Sequence, residues 1–276
     1  MTERAAYPDQ VRAWQGRMEQ ALAERLPATD TEPTRLHAAM RYCVLNGGRR
    51  VRPLLLFGTA RAVGLRDAEV EAAACALEFA HAYSRVHDDL PAIDDDDVRR
   101  GRPTCHRAYD EGTAVLVGDA LQSLAFQLLA SDAALPAEPV VRLRLIGLLA
   151  GAIGASGLAG GQSIDVEAQR QELSVPEVDA TYARRAGALI RASVLMAAAC
   201  APEAGAHLHE ALTAFVMPLS LAFQIQHAAP DAAALRERIR QLHTQALEAL
   251  EPLGASAEPL RTLANWLLVR TDQPAG

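Results

Sequence analysis

The sequence predicts an all-α protein, a single domain over residues 1–276 built as a bundle of about ten helices. Three observations point there. Half of the residues are hydrophobic, with alanine and leucine, two strong helix formers, dominating them. Apolar positions recur at three- and four-residue spacing almost throughout, and no stretch alternates as a strand would. Aromatic residues make up only 4%, which disfavours a β-sandwich or a carbohydrate-stacking protein. The length is ample for a sizeable core.

In chain order, the spacing predicts a first helix over 8–26 and a second over 34–46, stopped by Gly47-Gly48. A short helix follows Pro53 toward residue 63, and Asp67 is placed to cap a long one that ends in the aspartate cluster. Pro91, Gly101 and Pro103 make 90–104 a loop. Further helices are expected over 113–131, 140–158 and 177–200, the last opened by the capping box from Ser174 to Glu177. The remainder reads as 206–226, kinked at Pro218, then 231–253 and 258–270. No repeat or linker-like shift in composition interrupts the series.

Composition excludes several functions. The net charge of −7 gives no global basic field for nucleic acid. Cys43, Cys75, Cys105 and Cys200 are far apart, so they read as core residues or free thiols in a reducing compartment. The first residues lack a charged-then-apolar signal layout. The apolar run over 145–161 is rich in glycine and reads as a buried helix, so a soluble, cytoplasmic protein is expected.

The most informative stretch begins His87-Asp88-Asp89 and ends Asp94-Asp95-Asp96-Asp97, six carboxylates in ten residues. Gathering them is costly without cations, and hard oxygen donors favour magnesium or calcium. The glycine-containing loop of an EF-hand is missing. Alone, the run fits a solvated acidic loop as well as a metal site. Directly behind it, Arg99, Arg100 and Arg102 offer forks for phosphate oxygens. Upstream, Gly47-Gly48-Arg49-Arg50-Val51-Arg52-Pro53 forms a second basic knot, suited either to another diphosphate or to capping a helix end. No glycine-rich nucleotide loop of either common type is present. Leu77, His81, Ser84 and Asp88 share one helix face. Taken alone, His81 reads as a satisfied core histidine, and Arg85 as the ion-pair partner of Asp89.

Together, GGRRVRP, HAYSRVHDDLPAIDDDDVRRGRPTCH, GTAVLVGDALQSLAF, GGQSIDVEA and GALIRAS, in that order, resemble the trans-prenyl diphosphate synthase family from about residue 41 to 226. The resemblance implies an isoprenoid synthase fold around a central cavity, a homodimer, Mg²⁺ as cofactor, and condensation of isopentenyl diphosphate with an allylic diphosphate to give farnesyl diphosphate. It implies metal binding at Asp88, Asp89 and Asp94. Arg49, Arg52, His81 and Arg100 match isopentenyl diphosphate contacts, and Arg99, Arg185 and Gln224 match allylic ones. Arg49 and Arg185 stand where the family usually has lysine, and Ala186 replaces a threonine. Gly118, Asp119, Gln162 and Asp165 match cavity positions but fit capping or core bonding equally. Tyr83 lies five residues before Asp88, about 7.5 Å deeper along the helix, where a bulky ring is expected to block the growing tail, with the farnesyl chain as the stop that the resemblance implies. It reads otherwise as a core aromatic.

One family feature is missing. A second motif, D-D-x-x-D, normally follows the F-Q-x-x segment, but here Phe223-Gln224-Ile225-Gln226 continues as His227-Ala228-Ala229-Pro230-Asp231. Against the family pattern the chain is short by about 25 residues. A true deletion would explain this. A longer segment that the sequence omits fits better, because the surrounding pattern is ordinary. Two other functions therefore stand beside the synthase: a non-catalytic or impaired family member, and a class I terpene cyclase. The cyclase lacks support from an N-D-x-x-S-x-x-x-E stretch and would have no use for the basic knot.

Overall fold

A computed structural model of the chain describes residues 9–136, 138–168, 187–228 and 233–268, nearly all of them helical. Helix α1 (Asp9–Arg25) and α2 (Thr34–Val44) lead into α3 (Val51–Ala62) and α4 (Asp67–Asp88). Helix α3 is apolar around nearly its whole circumference, as suits a helix enclosed by neighbours, and Leu54, Leu55, Leu56 and Phe57 are fully buried. It starts before Pro53, which is tolerated in a first turn where no intrahelical donor is needed. Asp67 is the first residue of α4, not its cap. Its carboxylate takes Arg61 Nε at 2.7 Å and Trp14 Nε1 at 3.0 Å, tying α1 and α3 to the head of α4.

The loop over 90–104 holds a small hairpin, β1 (Val98–Arg99) and β2 (Arg102–Pro103). Arg100 and Gly101 turn it with φ of 52° and 72°, the left-handed pair that two-residue hairpins favour. Turn chemistry creates these strands, so periodicity does not reveal them. A short α5 (Cys105–Ala108) follows, then α6 (Glu111–Ser131), capped by Asp110, whose carboxylate accepts from Thr113 N.

The helix expected over 140–158 ends early, as α7 (Pro139–Ile153), and a further helix that is not among those expected from the sequence, α8 (Leu158–Ala168), follows it. Between them the chain folds back so tightly that a Cβ on Gly157 would fall 2.1 Å from the Ala152 carbonyl oxygen. Of the helix expected over 177–200, α9 (Gly187–Ala199) is described, and the capping box, Arg185 and Ala186 lie outside the described residues. Helix α10 (Ala206–Ala228) runs on through Pro218. Then come α11 (Ala233–Ala249), a 3-10 segment (Glu251–Ala257) and α12 (Glu258–Leu268).

Helix α4 packs along α6, α9 fits among α3, α7 and α10, and α12 closes over α3. At that last contact a Cβ on Gly58 would meet Leu263 Cδ1 at 2.6 Å, so glycine sets the close approach. Three stretches among the described residues, Glu111–Ser131, Pro139–Glu167 and Ala206–Gln226, are long and apolar enough to cross a membrane by length and composition. The four cysteines are free thiols, with Cys75, Cys105 and Cys200 buried, as the sequence suggests.

Candidate active site

The last turns of α4 carry one wall of the site. Asp88 ends the helix and Asp89 is its C-cap, both buried. Carboxylates at a helix C-terminus face the negative end of the dipole, so two of them there oppose the local preference. Burial, reinforced by Asp96, Asp88 and Asp94 and opposed by Arg85, pushes the Asp89 carboxyl up to about 7. The chain accepts this arrangement by folding the loop back: Asp94 N donates to the Asp88 carbonyl at 2.9 Å. Gln162 Nε2, from α8, reaches Asp94 Oδ1 at 3.1 Å. Arg99 lays its fork on Asp89, with Nε 2.8 Å from Oδ1, and spans to Asp96 at 2.7 Å. Arg99 and not Arg85 is thus the direct partner of Asp89.

Asp88, Asp89 and Asp94 are all oxygen donors, the chemistry that a hard divalent cation takes, although the Asp89 carboxylate is held by Arg99 here. A second group, Asp95, Asp97 and His106, brings one ligand atom from each within 4.8 Å of the others. Arg107 already holds Asp97 there. Only folding of the hairpin assembles this group, and the sequence spacing gives no signal for it.

The surface that adjoins Asp89 is basic. A cavity of about 730 Å³ is lined by Arg49, Arg52, His81, Arg85, Asp89, Arg99, Arg100 and Phe223, among others. It collects the residues matched to isopentenyl diphosphate together with Arg99. Desolvation lowers Arg52 to about 10, with Arg85 and Arg100 adding to the depression against the pull of Glu78. His81 is driven well below its ordinary value by burial and then by Arg52, Arg85, Arg100 and Arg50, so its imidazole is neutral. Burial and Arg50 likewise lower Arg100. Too much positive charge lines this pocket for the carboxylates nearby, which is the electrostatic signature of a site for an anion.

Local structure explains the positions. Arg100 sits at the left-handed corner of the hairpin and donates to the Gly47 carbonyl. It crosses directly over Gly48, where a Cβ would fall 2.6 Å from its Nη1. Of the upstream knot, Arg50 belongs to the scaffold. It is buried against Glu19 at 2.6 Å, Glu78 at 2.8 Å and the Val44 carbonyl at 2.9 Å. That leaves Arg49 and Arg52 facing the cavity. Sequence spacing alone misses both Glu19 and Glu78, which come from distant helices, and gives Arg85 a different role.

Gln224, on α10, has both polar atoms of its carboxamide buried without a partner among the described residues. A Cβ on Gly187 would fall 1.9 Å from its Nε2, so glycine makes room for it. Tyr83 is buried against α6, where Gln122 hydrogen-bonds it, and its ring meets His87 edge-on at 5.9 Å. It does not line the basic cavity. Arg185 lies outside the described residues.

Residues 33–241 match the family model described as Polyprenyl synthetase. The chain is 38% identical over 221 residues to the farnesyl diphosphate synthase of Haemophilus influenzae, covering 80% of this chain and 74% of that protein. It is 40% identical over 234 residues to the farnesyl diphosphate synthase of Geobacillus stearothermophilus, covering 80% and 78%. Among solved structures, an FPP/GFPP synthase from Zymomonas mobilis superposes with a TM-score of 0.89 at 33% identity, covering 94% of this chain and 98% of that one. A geranyltransferase from Legionella pneumophila matches with a TM-score of 0.89 at 31% identity, covering 96% and 98%.

Proposed function

The chain belongs to the polyprenyl synthetase family, and we propose that it condenses isopentenyl diphosphate with dimethylallyl or geranyl diphosphate to give farnesyl diphosphate. The observation that carries this reading is the pairing of a buried, over-cationic cavity with a crowded carboxylate wall. One wall suits a diphosphate directly, and the other suits a diphosphate through a cation.

Arg49, Arg52 and Arg100 hold the isopentenyl diphosphate, and neutral His81 can donate a hydrogen bond there without adding to the repulsion among them. Arg99 and Gln224, joined by Arg185, orient the allylic diphosphate. Arg99 withdraws part of its fork from Asp89 to meet the phosphate oxygens. Asp88, Asp89 and Asp94 would hold magnesium, which when bound would neutralise charge on the leaving diphosphate. Breaking the allylic C–O bond leaves a carbocation, the isopentenyl double bond attacks it, and a proton is lost to the departed diphosphate. Around this chemistry the chain supplies an apolar helical interior that keeps water from the cation.

The assay that tests the assignment compares two substitutions. Arg52→Ala is expected to raise the KM for isopentenyl diphosphate about tenfold or more while moving the allylic KM little, and Arg99→Ala to do the reverse. Equal effects on both substrates in both variants would refute the two-site assignment. Tyr83→Ala tests product length. Removing the ring opens space between α4 and α6, so products are expected to lengthen toward geranylgeranyl diphosphate on chromatography. An unchanged profile would make Tyr83 a core aromatic only.

The molecule is proposed to act as a soluble, cytoplasmic homodimer. Val115 and Leu116 on α6 and Val140 and Leu143 on α7 are exposed large apolar side chains, and pairing with a second copy would cover them. That also accounts for the apolar character of these helices without a membrane.

A further inference from the structure

We propose that Trp266 is a positioning residue for the isopentenyl diphosphate site, acting through Arg49. This rests on the assignment of Arg49 to that site. Trp266 lies on α12, whose buried face, Leu260, Leu263, Ala264 and Leu267, packs the helix onto the core. The indole stands at the margin of that core, half-buried, with the Arg49 guanidinium carbon 4.9 Å from the ring centroid. Arg49 itself lines the cavity, two residues before α3 begins, and its carbonyl accepts from Gln15 Nε2 at 3.1 Å.

A planar guanidinium can lay its face on an aromatic ring while its N–H groups point outward in the plane, free for phosphate oxygens. A lysine ammonium is a point charge with no face to stack, and it would take a ring less specifically. Arginine at position 49 and tryptophan at 266 therefore form a matched pair. The indole restricts the rotamers of Arg49 before substrate arrives, so less freedom is lost on binding. The contact also ties α12 to the diphosphate cavity, a link that the spacing of motifs in the sequence does not show.

Steady-state kinetics on Trp266→Ala, Trp266→Leu, Trp266→Phe, Arg49→Ala, Arg49→Lys and the double variant Arg49→Lys/Trp266→Ala test this. Trp266→Ala and Trp266→Leu are expected to raise the isopentenyl diphosphate KM about fivefold, with kcat and the allylic KM within about twofold of the parent. Trp266→Leu keeps an apolar side chain in the helix, so it separates the ring's role from packing. Trp266→Phe is expected to recover most of the affinity. In the Arg49→Lys background, Trp266→Ala is expected to add less than about twofold, because the stacked partner is already gone. Multiplicative effects in the double variant would overturn the proposal, as would a Trp266→Leu variant matching the parent, or losses spread equally over both substrates. If Arg49→Ala itself leaves the isopentenyl KM unchanged, the assignment of Arg49 fails and the positioning role with it. If Arg49→Ala raises that KM while the Trp266 variants are silent, only the positioning role fails.

Discussion

Asp88→Ala is expected to lower condensation by about three orders of magnitude or more at saturating magnesium and substrates. The helix should survive. The hydrogen bond that folds the loop back onto α4 uses the backbone carbonyl of Asp88, which alanine retains. Alanine is also the better helix former, and a carboxylate removed from the negative end of a helix dipole relieves strain. Far-UV circular dichroism should therefore be unchanged and the melting temperature equal or higher, while product formation collapses. Such a split is what a residue kept for chemistry produces, since its local energetics are unfavourable. Turnover close to that of the parent would sink the mechanism. A collapse accompanied by lost helicity would instead make Asp88 a folding residue.

The contrast between α4 and the hairpin shows what the sequence reveals and what it conceals. Helix α4 is written in its own periodicity, and the face shared by Leu77, His81, Ser84 and Asp88 follows from spacing alone. The break between α7 and α8 is hidden because Gly154 and Gly157 sit in an apolar run that looks continuous, and only the close approach to the Ala152 carbonyl shows why the helix stops. At the site, spacing gathers the arginines but cannot divide them. Arg50 is taken up by Glu19 and Glu78, one from α1 and one from α4, while Arg85 joins the cavity wall, and Arg99 takes the carboxylate that helix spacing would give to Arg85. These are long-range pairings, and the choice among them depends on which helices meet. His81 is held neutral first by burial and then by four arginines from three separate segments, whose convergence spacing does not show.

A protein that carries nothing more between Gln226 and the head of α11 than this sequence shows is expected to ionise allylic diphosphates slowly, about a hundredfold or more below a family member with both aspartate motifs. The reason is charge on one side only. Asp88 and Asp89 stand at the end of α4 and Asp94 in the loop after it, whereas α10 presents Gln224 and Gln226, carboxamides with buried polar atoms that have no partner among the described residues. A carboxamide can donate to phosphate but cannot hold a divalent cation in the way a cluster of carboxylates does. A leaving diphosphate held between those walls is thus neutralised from the α4 side and merely hydrogen-bonded from the other. Asp231 adds one carboxylate to the sequence there, where the family has three. Peptide mapping over 223–235 together with intact mass, against the 29.5 kDa of this chain, fixes which protein is being assayed. If the mapped segment is as short as written, solvolysis of geranyl diphosphate should be slow, and insertion of a D-D-x-x-D segment after Gln226 should raise it. If a longer segment is present, ordinary turnover is expected. Brisk farnesyl diphosphate synthesis by a protein proven to hold only the short segment would show that one carboxylate wall suffices.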